Sequence, residues 1–291
     1  MKINKTLLAV ATAGSLLLAA CGDEETTETN TSTEETASST ETAEELALQS
    51  ELDAYEAFAT EQMEQFVVET ENFVSLIKAG DIEGAKTAYA PARMYFERSE
   101  PIAESFGDLD PRIDGRLADL EAEGQTMEDW SGYHKLEYAL WTENTTEGYE
   151  EVADQLLADV KELNALVQTV EVTPDLLVTG AVDLLNEVST SKITGEEEIY
   201  SHTDLYDFKA NVEGAEKIFN ILQSKLEEKD ADLVTTLKEK FSAINELLAK
   251  YETVEGGYVS YEELTAEDTK VLSQAVNELG EPLSQMGIVI E

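Results

Sequence analysis

From about residue 45 onward, apolar residues recur at helical spacing. Leu52, Tyr55, Ala59, Met63, Phe66, Val67, Phe73, Val74 and Ile77 fall on one face of a long helix that runs to Gly80. Residues 81–106 form a second helical stretch, with Asp81 as its N-cap and Pro91 and Pro101 as points of kink or break. Asp110-Pro111 starts a short helix, the aspartate capping and the proline in the first turn. Next come a helix around His134, one near 148–170, and one opened by Thr173-Pro174. Helices over 204–228, 231–252 and 261–286 complete the chain, and Ser260 with Glu263 reads as a capping box. No stretch alternates with period two, so no strands are expected. The class is all-α, with connections short enough for antiparallel bundles.

The N-terminus departs from this pattern twice. Residues 1–21 read as a targeting segment: Lys2 and Lys5, then a short apolar run from Leu7 to Leu18, then Leu18-Ala19-Ala20-Cys21. The run is too short for a permanent span. Its ending resembles a bacterial lipobox, which makes Cys21 the expected lipidated first residue of the mature chain, anchored to the outer face of the cell membrane. Cys21 is the only cysteine, so no internal disulfide can form. Residues 22–44 are acidic and rich in Ser and Thr, with no aromatic or large aliphatic residue. Such a segment buries too little surface to offset the entropy of ordering and is expected to be a disordered tether, reaching roughly 25 Å. Residues 45–291 then make one helical domain.

Charge narrows the partners. The chain carries 63 acidic and 19 basic residues, a formal net charge of −44. Nucleic acid and anionic polymers would be repelled, whereas cations would be attracted. Solubility outside the cell accounts for most of this acidity.

One of only two histidines lies in Gly132-Tyr133-His134-Lys135-Leu136-Glu137. Residues three apart share a helix face, so His134 and Glu137 project together. That is half of a metal site, though spacing alone favours a histidine ion-paired to a glutamate at a helix surface. Three other stretches could supply more ligands. Glu97, Glu100 and Glu104 share a face if Pro101 does not rotate it away; Tyr95, Phe96 and Ile102 flank them, Arg93 is placed to pair with Glu97, and Glu104 reads as solvated. Asp110 is explained by capping, with a metal role open. Glu197, His202 and Asp204 lie around the second histidine, Asp204 or Thr203 also being a natural N-cap. His134 precedes Tyr138 by four and His202 precedes Tyr206 by four, a faint echo of an internal duplication that would set the two stretches across a cleft. Histidine with several carboxylates and no thiol suits iron or manganese over copper(I), leaving zinc or another divalent cation open. With a membrane tether, this pattern points to capture of a metal and delivery to a transporter.

The same segments resemble a known family. Gly132-Tyr133-His134-Lys135-Leu136-Glu137 is similar to the Gly-x-His-x-x-Glu signature of imelysin-like proteins. "APARMYFERSEPIAESFGDLD", "GYHKLEYALW", "SKITGEEEIYSHTDLYDFKANVEGA" and "LAKYETVEGGYVSYEELT" follow, in order, the EfeO/EfeM iron-uptake branch. The resemblance covers nearly all of residues 50–290. It implies two related helix bundles with a site between them, iron (ferrous or ferric) as cargo, and work alongside a ferrous-iron permease and a haem-containing peroxidase. Long members carry an N-terminal cupredoxin domain; the tether of 22–44 is far too short for one, so copper oxidase chemistry is not carried over.

Three functions compete at this level. The leading one is a non-enzymatic iron-binding lipoprotein feeding a permease. The second is a metal-dependent peptidase, since a glutamate beside a metal-bound histidine can activate water; against it, the chain lacks His-Glu-x-x-His. The third is a carbohydrate-binding or adhesion lipoprotein that uses the interbundle cleft without metal.

Overall fold

The computed structural model describes residues 34–290 apart from Ser191 and Glu255. Cys21, the rest of the targeting segment and the start of the tether lie outside the described residues. Among the described residues the only strand-like pairing is an isolated bridge between Glu252 and Tyr258.

Helix α1 (Glu34–Ala79) begins inside the stretch that composition reads as tether. No glycine or proline interrupts the chain between Glu34 and Gly80, and its alanines and glutamates favour helix. Asp81 caps α2 (Ile82–Glu97) as expected, its side chain accepting from the Gly84 N–H. Pro91 is accommodated within α2, whereas the chain breaks at Arg98-Ser99 and restarts as α3 (Glu100–Ala103) with Pro101 in its first turn. The proline ring is harmless there, because the first N–H groups of a helix have no partner.

Two local expectations need correcting. In α4 (Asp110–Asp114) the N-cap is Leu109, and Asp110 sits inside the first turn rather than capping it. Ser260 N-caps only a one-turn 3-10 segment, Tyr261–Glu263, its side chain accepting from the Glu262 N–H. The reciprocal cap belongs to Thr265 and Asp268: the Thr265 N–H donates to Asp268 Oδ2 at 2.8 Å and the Asp268 N–H to Thr265 Oγ1 at 3.3 Å. The long C-terminal helix therefore starts later than the sequence pattern implies.

The remaining helices are α5 (Leu117–Ala122), α6 (Gly132–Tyr138), α7 (Glu150–Val167), α8 (Pro174–Thr190), α9 (Asp204–Lys229), α10 (Ala231–Leu248) and α11 (Ala266–Ile290). Thr173 holds the start of α8, its Oγ1 accepting from the Leu176 N–H at 3.2 Å. Asp230 alone joins α9 to α10, which forces a tight hairpin.

The helices form two groups. In the first, Phe66 and Phe73 of α1 stack on Tyr133 of α6, with ring centres 5.7 and 5.4 Å apart, and Tyr89 of α2 meets Tyr133 edge-on at 5.8 Å. Each such pair adds about 0.5–1.5 kcal/mol beyond simple burial. Pairs Lys78–Asp154 and Glu71–Lys161 draw α7 against α1. The second group is α8 to α11, cored by residues such as Leu184, Phe219, Phe241 and Leu279. Helix α9 packs on α2 and joins the groups. Gly214 makes this approach feasible: a Cβ there would lie 2.4 Å from the Arg98 carbonyl oxygen, at the break after α2.

Candidate metal centre

The site is assembled where α2, α4, α6, α9 and the 192–204 connection converge. Helix α6 is pinned first. Tyr133 Oη and Thr70 Oγ1 share a hydrogen bond of 2.7 Å. Ser131 Oγ donates to the Arg112 carbonyl at 2.9 Å, and Trp130 Nε1 to that of Gly115 at 2.6 Å. Gly132 has φ +84°, and a Cβ there would lie 2.3 Å from the Ile113 carbonyl. The glycine of the Gly-x-His motif thus lets the start of α6 lie directly on the end of α4. As a result His134 faces Asp114.

His134 is 2% exposed and Glu137 is fully buried, so the pair is no surface ion pair. Their i, i+3 relation holds: Nδ1 stands 3.2 Å from Glu137 Oε2, and 3.8 Å from Glu198 Oε1. On the other edge of the ring, Nε2 stands 3.6 Å from Asp114 Oδ1 and has no hydrogen-bond partner. Asp114, His134 and Glu197 each offer a ligand atom within 4.8 Å of the other two, as do His134, Glu137 and Glu198. The 3.2 Å contact with Glu137 is a hydrogen bond, whereas the 3.8 and 3.6 Å contacts are too long for one and suit ligands about 2.1 Å from a shared ion, which stand roughly 3–4 Å apart.

Glu137 is held firmly. Its Oε1 accepts from the Tyr200 and Ser201 N–H groups at 3.0 and 2.7 Å. His202 makes that turn: it has φ +57°, and its N–H returns to the Glu198 carbonyl at 2.8 Å. Its imidazole, 35% exposed, points to Glu262 at 3.8 Å, outside the cluster. Asp204 is buried and accepts from the Glu198 N–H at 3.2 Å, supporting the loop from behind. Thr203, not Asp204, is the N-cap of α9.

Arg93 binds the cluster from within α2. It pairs with Asp114, with Glu97 at 2.7 Å, with Glu198 at 2.8 Å and with Asp207 at 3.5 Å, and its guanidinium lies over the rings of Tyr89 and Tyr133. Glu97 is also met by Lys192 at 3.0 Å and by Asn211 Nδ2 at 3.2 Å. Glu100 faces the same lysine and asparagine, at 3.8 and 3.3 Å. The break before Pro101 keeps these two glutamates together, while Glu104 is exposed. A cleft of about 520 Å³ opens onto Glu100, Asp110, Asp114, Glu187, Lys192 and Glu197, with His134 buried behind it.

Carboxylates outnumber the buried cations Arg93 and Lys192, and their proton affinities show it. Burial pushes Glu137 up to about 7. Burial, and then the charge of Glu137, push Glu198 up to about 8. Glu97 rises to about 7 by burial, against Lys192 and Arg93, and Asp110 to about 7 by burial and Asp114. Glu197 is the exception: burial opposes ionisation, yet Lys192, His134, Arg93 and Arg116, the last 3.4 Å away, bring it down to about 2. A buried surplus of carboxylates persists only by holding protons or a cation.

Sequence reasoning placed His134, Glu137, Glu97, Glu100, Glu197 and Asp110 in or beside this region. It passed over Asp114, although Asp114 is four residues after Asp110 on the same short helix. It also passed over Glu198, which no periodicity separates from its neighbours in the Glu196-Glu197-Glu198 loop, and the buried Lys192; it paired Arg93 with Glu97, as the structure does, but with no other acid.

The family model for imelysin, whose label also names a peptidase family, matches residues 51–286. An EfeM/EfeO family lipoprotein of Staphylococcus haemolyticus is 49% identical over 288 residues, covering 99% of this chain and all of that protein. One of Staphylococcus aureus is 52% identical over 239 residues, covering 82% of this chain and 84% of the other.

Proposed function

The chain belongs to the imelysin family, in its EfeM/EfeO lipoprotein branch, and from that premise we propose that it is an iron-capturing lipoprotein that passes its cargo to a membrane permease. One observation carries the reading: His134 Nε2 is buried without a hydrogen-bond partner and faces Asp114. The ion would lie among His134, Asp114 and Glu197, with Glu137 and Glu198 on the inner edge of the ring. Nitrogen with several carboxylates suits iron, with zinc or manganese as competitors. The cleft supplies the entry path, and its acidic rim favours a cation.

Lipidation at Cys21 would hold the domain on the outer face of the membrane. No described helix is long and apolar enough to cross a bilayer. A permease and a haem peroxidase of the same uptake system are the proposed partners.

The family label keeps a peptidase as the competing reading. A general base needs a carboxylate oxygen free to face water. Both oxygens of Glu137 are engaged, one by two backbone N–H groups and one by His134, which supports binding over hydrolysis.

The deciding experiment is a crystal soaked in iron, with anomalous scattering recorded at the iron edge. A peak between His134 and Asp114 is expected; a peak elsewhere, or none, overturns the assignment. Protein hydrolysis abolished by both a chelator and Glu137→Ala would put the peptidase ahead.

A further inference from the structure

Beside the proposed iron site lies a second set of convergent carboxylates. Glu97, Glu100 and Glu187 each offer an oxygen within 4.8 Å of the other two, the same closeness as in Asp114, His134 and Glu197. Yet this set already encloses a cation. Lys192 is 1% exposed, and its ammonium stands 2.9 Å from Glu187, 3.0 Å from Glu97, 3.8 Å from Glu100 and 3.9 Å from Glu197. It projects from the 3-10 turn that follows α8, the helix bearing Glu187, so the charge is delivered by a fixed backbone. Asn211 Nδ2 donates to both Glu97 and Glu100, holding two walls of the cage.

We infer that Lys192 is a built-in counter-ion that fills what would otherwise be a second cation site, and so limits the cleft to one metal ion. Removing its charge would leave Glu100 and Glu187 at the wall of an open cleft, with Glu97 fully buried beside them, in a geometry a divalent ion can occupy. Glu197 links the two places: it faces Lys192 with one oxygen and belongs with Asp114 and His134. The lysine therefore also draws on a carboxylate that the iron site would use. This inference rests on the iron-binding reading, and its test separates the two.

The full chain, Lys192→Met and Lys192→Arg would be loaded with ferrous iron without oxygen and desalted, then assayed for bound metal and for melting temperature with and without iron. One ion is expected in the parent and in Lys192→Arg. Lys192→Met should bind two, and iron should raise its melting temperature more than the parent's. A parent that binds no iron overturns the iron-binding reading itself. A parent with one ion beside a Lys192→Met protein that still binds only one, or that fails to fold in iron, overturns the role given to Lys192. A lysine that merely packs would change stability without changing the count of ions.

Discussion

Two groups of buried acids lie side by side in this protein, and they are neutralised differently. Around Lys192, the carboxylates of Glu97, Glu100 and Glu187 have a dedicated ammonium at their centre. Around His134, the carboxylates of Glu137, Glu198 and Asp114 have an imidazole and a share of Arg93, which is divided among four acids. Both groups have the ligand types and spacing of a metal site. Burial raises carboxyl groups in both, Glu97 to about 7 on the lysine side and Glu137 and Glu198 to about 7 and 8 on the histidine side, but only the second leaves a ring nitrogen without a hydrogen-bond partner. The contrast teaches that a cluster of acids is poised for a cation when the chain itself has not provided one.

Arg93 is the bridge between the groups, and removing it should have the largest effect. Arg93→Met leaves buried carboxylates on both sides without their cation, and should cost about 3–5 kcal/mol in urea unfolding of the metal-free protein. Saturating iron should recover part of that loss if the His134 side is the iron site; an equal loss with and without iron would erase the distinction between the groups.

Next comes affinity. His134→Ala should weaken iron binding by roughly 100-fold and Asp114→Asn by at least about ten-fold, since even indirect changes around a metal cost 10–100-fold. Both losses should persist at high salt, because buried charges are poorly screened. Glu100→Gln, on the lysine side, should leave affinity nearly unchanged in calorimetry. A loss there as large as at His134 would move the iron toward Lys192.

A pH effect should follow, larger in the metal-free protein than in the iron-loaded one. Burial raises the folded-state values of Glu137 and Glu198 to about 7 and about 8, above an unfolded value of about 4.3. The folded chain therefore holds protons that the unfolded chain has released. Its contribution to stability is complete below the unfolded value and is lost as pH rises through 7 to 8. The metal-free melting temperature should fall between pH 6 and pH 9, and that of the iron-loaded protein should fall less, because the ion takes the place of the protons. Parallel curves would show that the His134 group is not where iron binds.

The smallest effect is expected at the second histidine. His202→Ala should leave iron affinity unchanged, since the ring faces Glu262 outside both groups. The residue matters through its φ of +57°, which shapes the turn that presents the Tyr200 and Ser201 N–H groups to Glu137. A large loss of affinity that His202→Asn, which tolerates that φ, shares would place the imidazole at the site.

The sequence by itself determined the helices and much of their punctuation. Apolar spacing set α2, α7 to α10, α1 from about residue 45 and the body of α11, but not the starts of α1 and α11, and Asp81 and Thr173 marked two starts correctly, because these signals are local and repeat with the period of the helix. It also determined the pairing of His134 with Glu137, which depends only on helical geometry. The tertiary structure decided the rest. Whether an acid is solvated or buried depends on what packs over it, and nothing within Glu196-Glu197-Glu198 says which of them turns inward. Asp114 meets His134 only because Gly132 lets α6 close onto α4. The two histidines look alike in spacing, yet one is sealed beneath a cleft and the other lies on a turn at the surface, because burial and approach between helices are properties of the assembled chain.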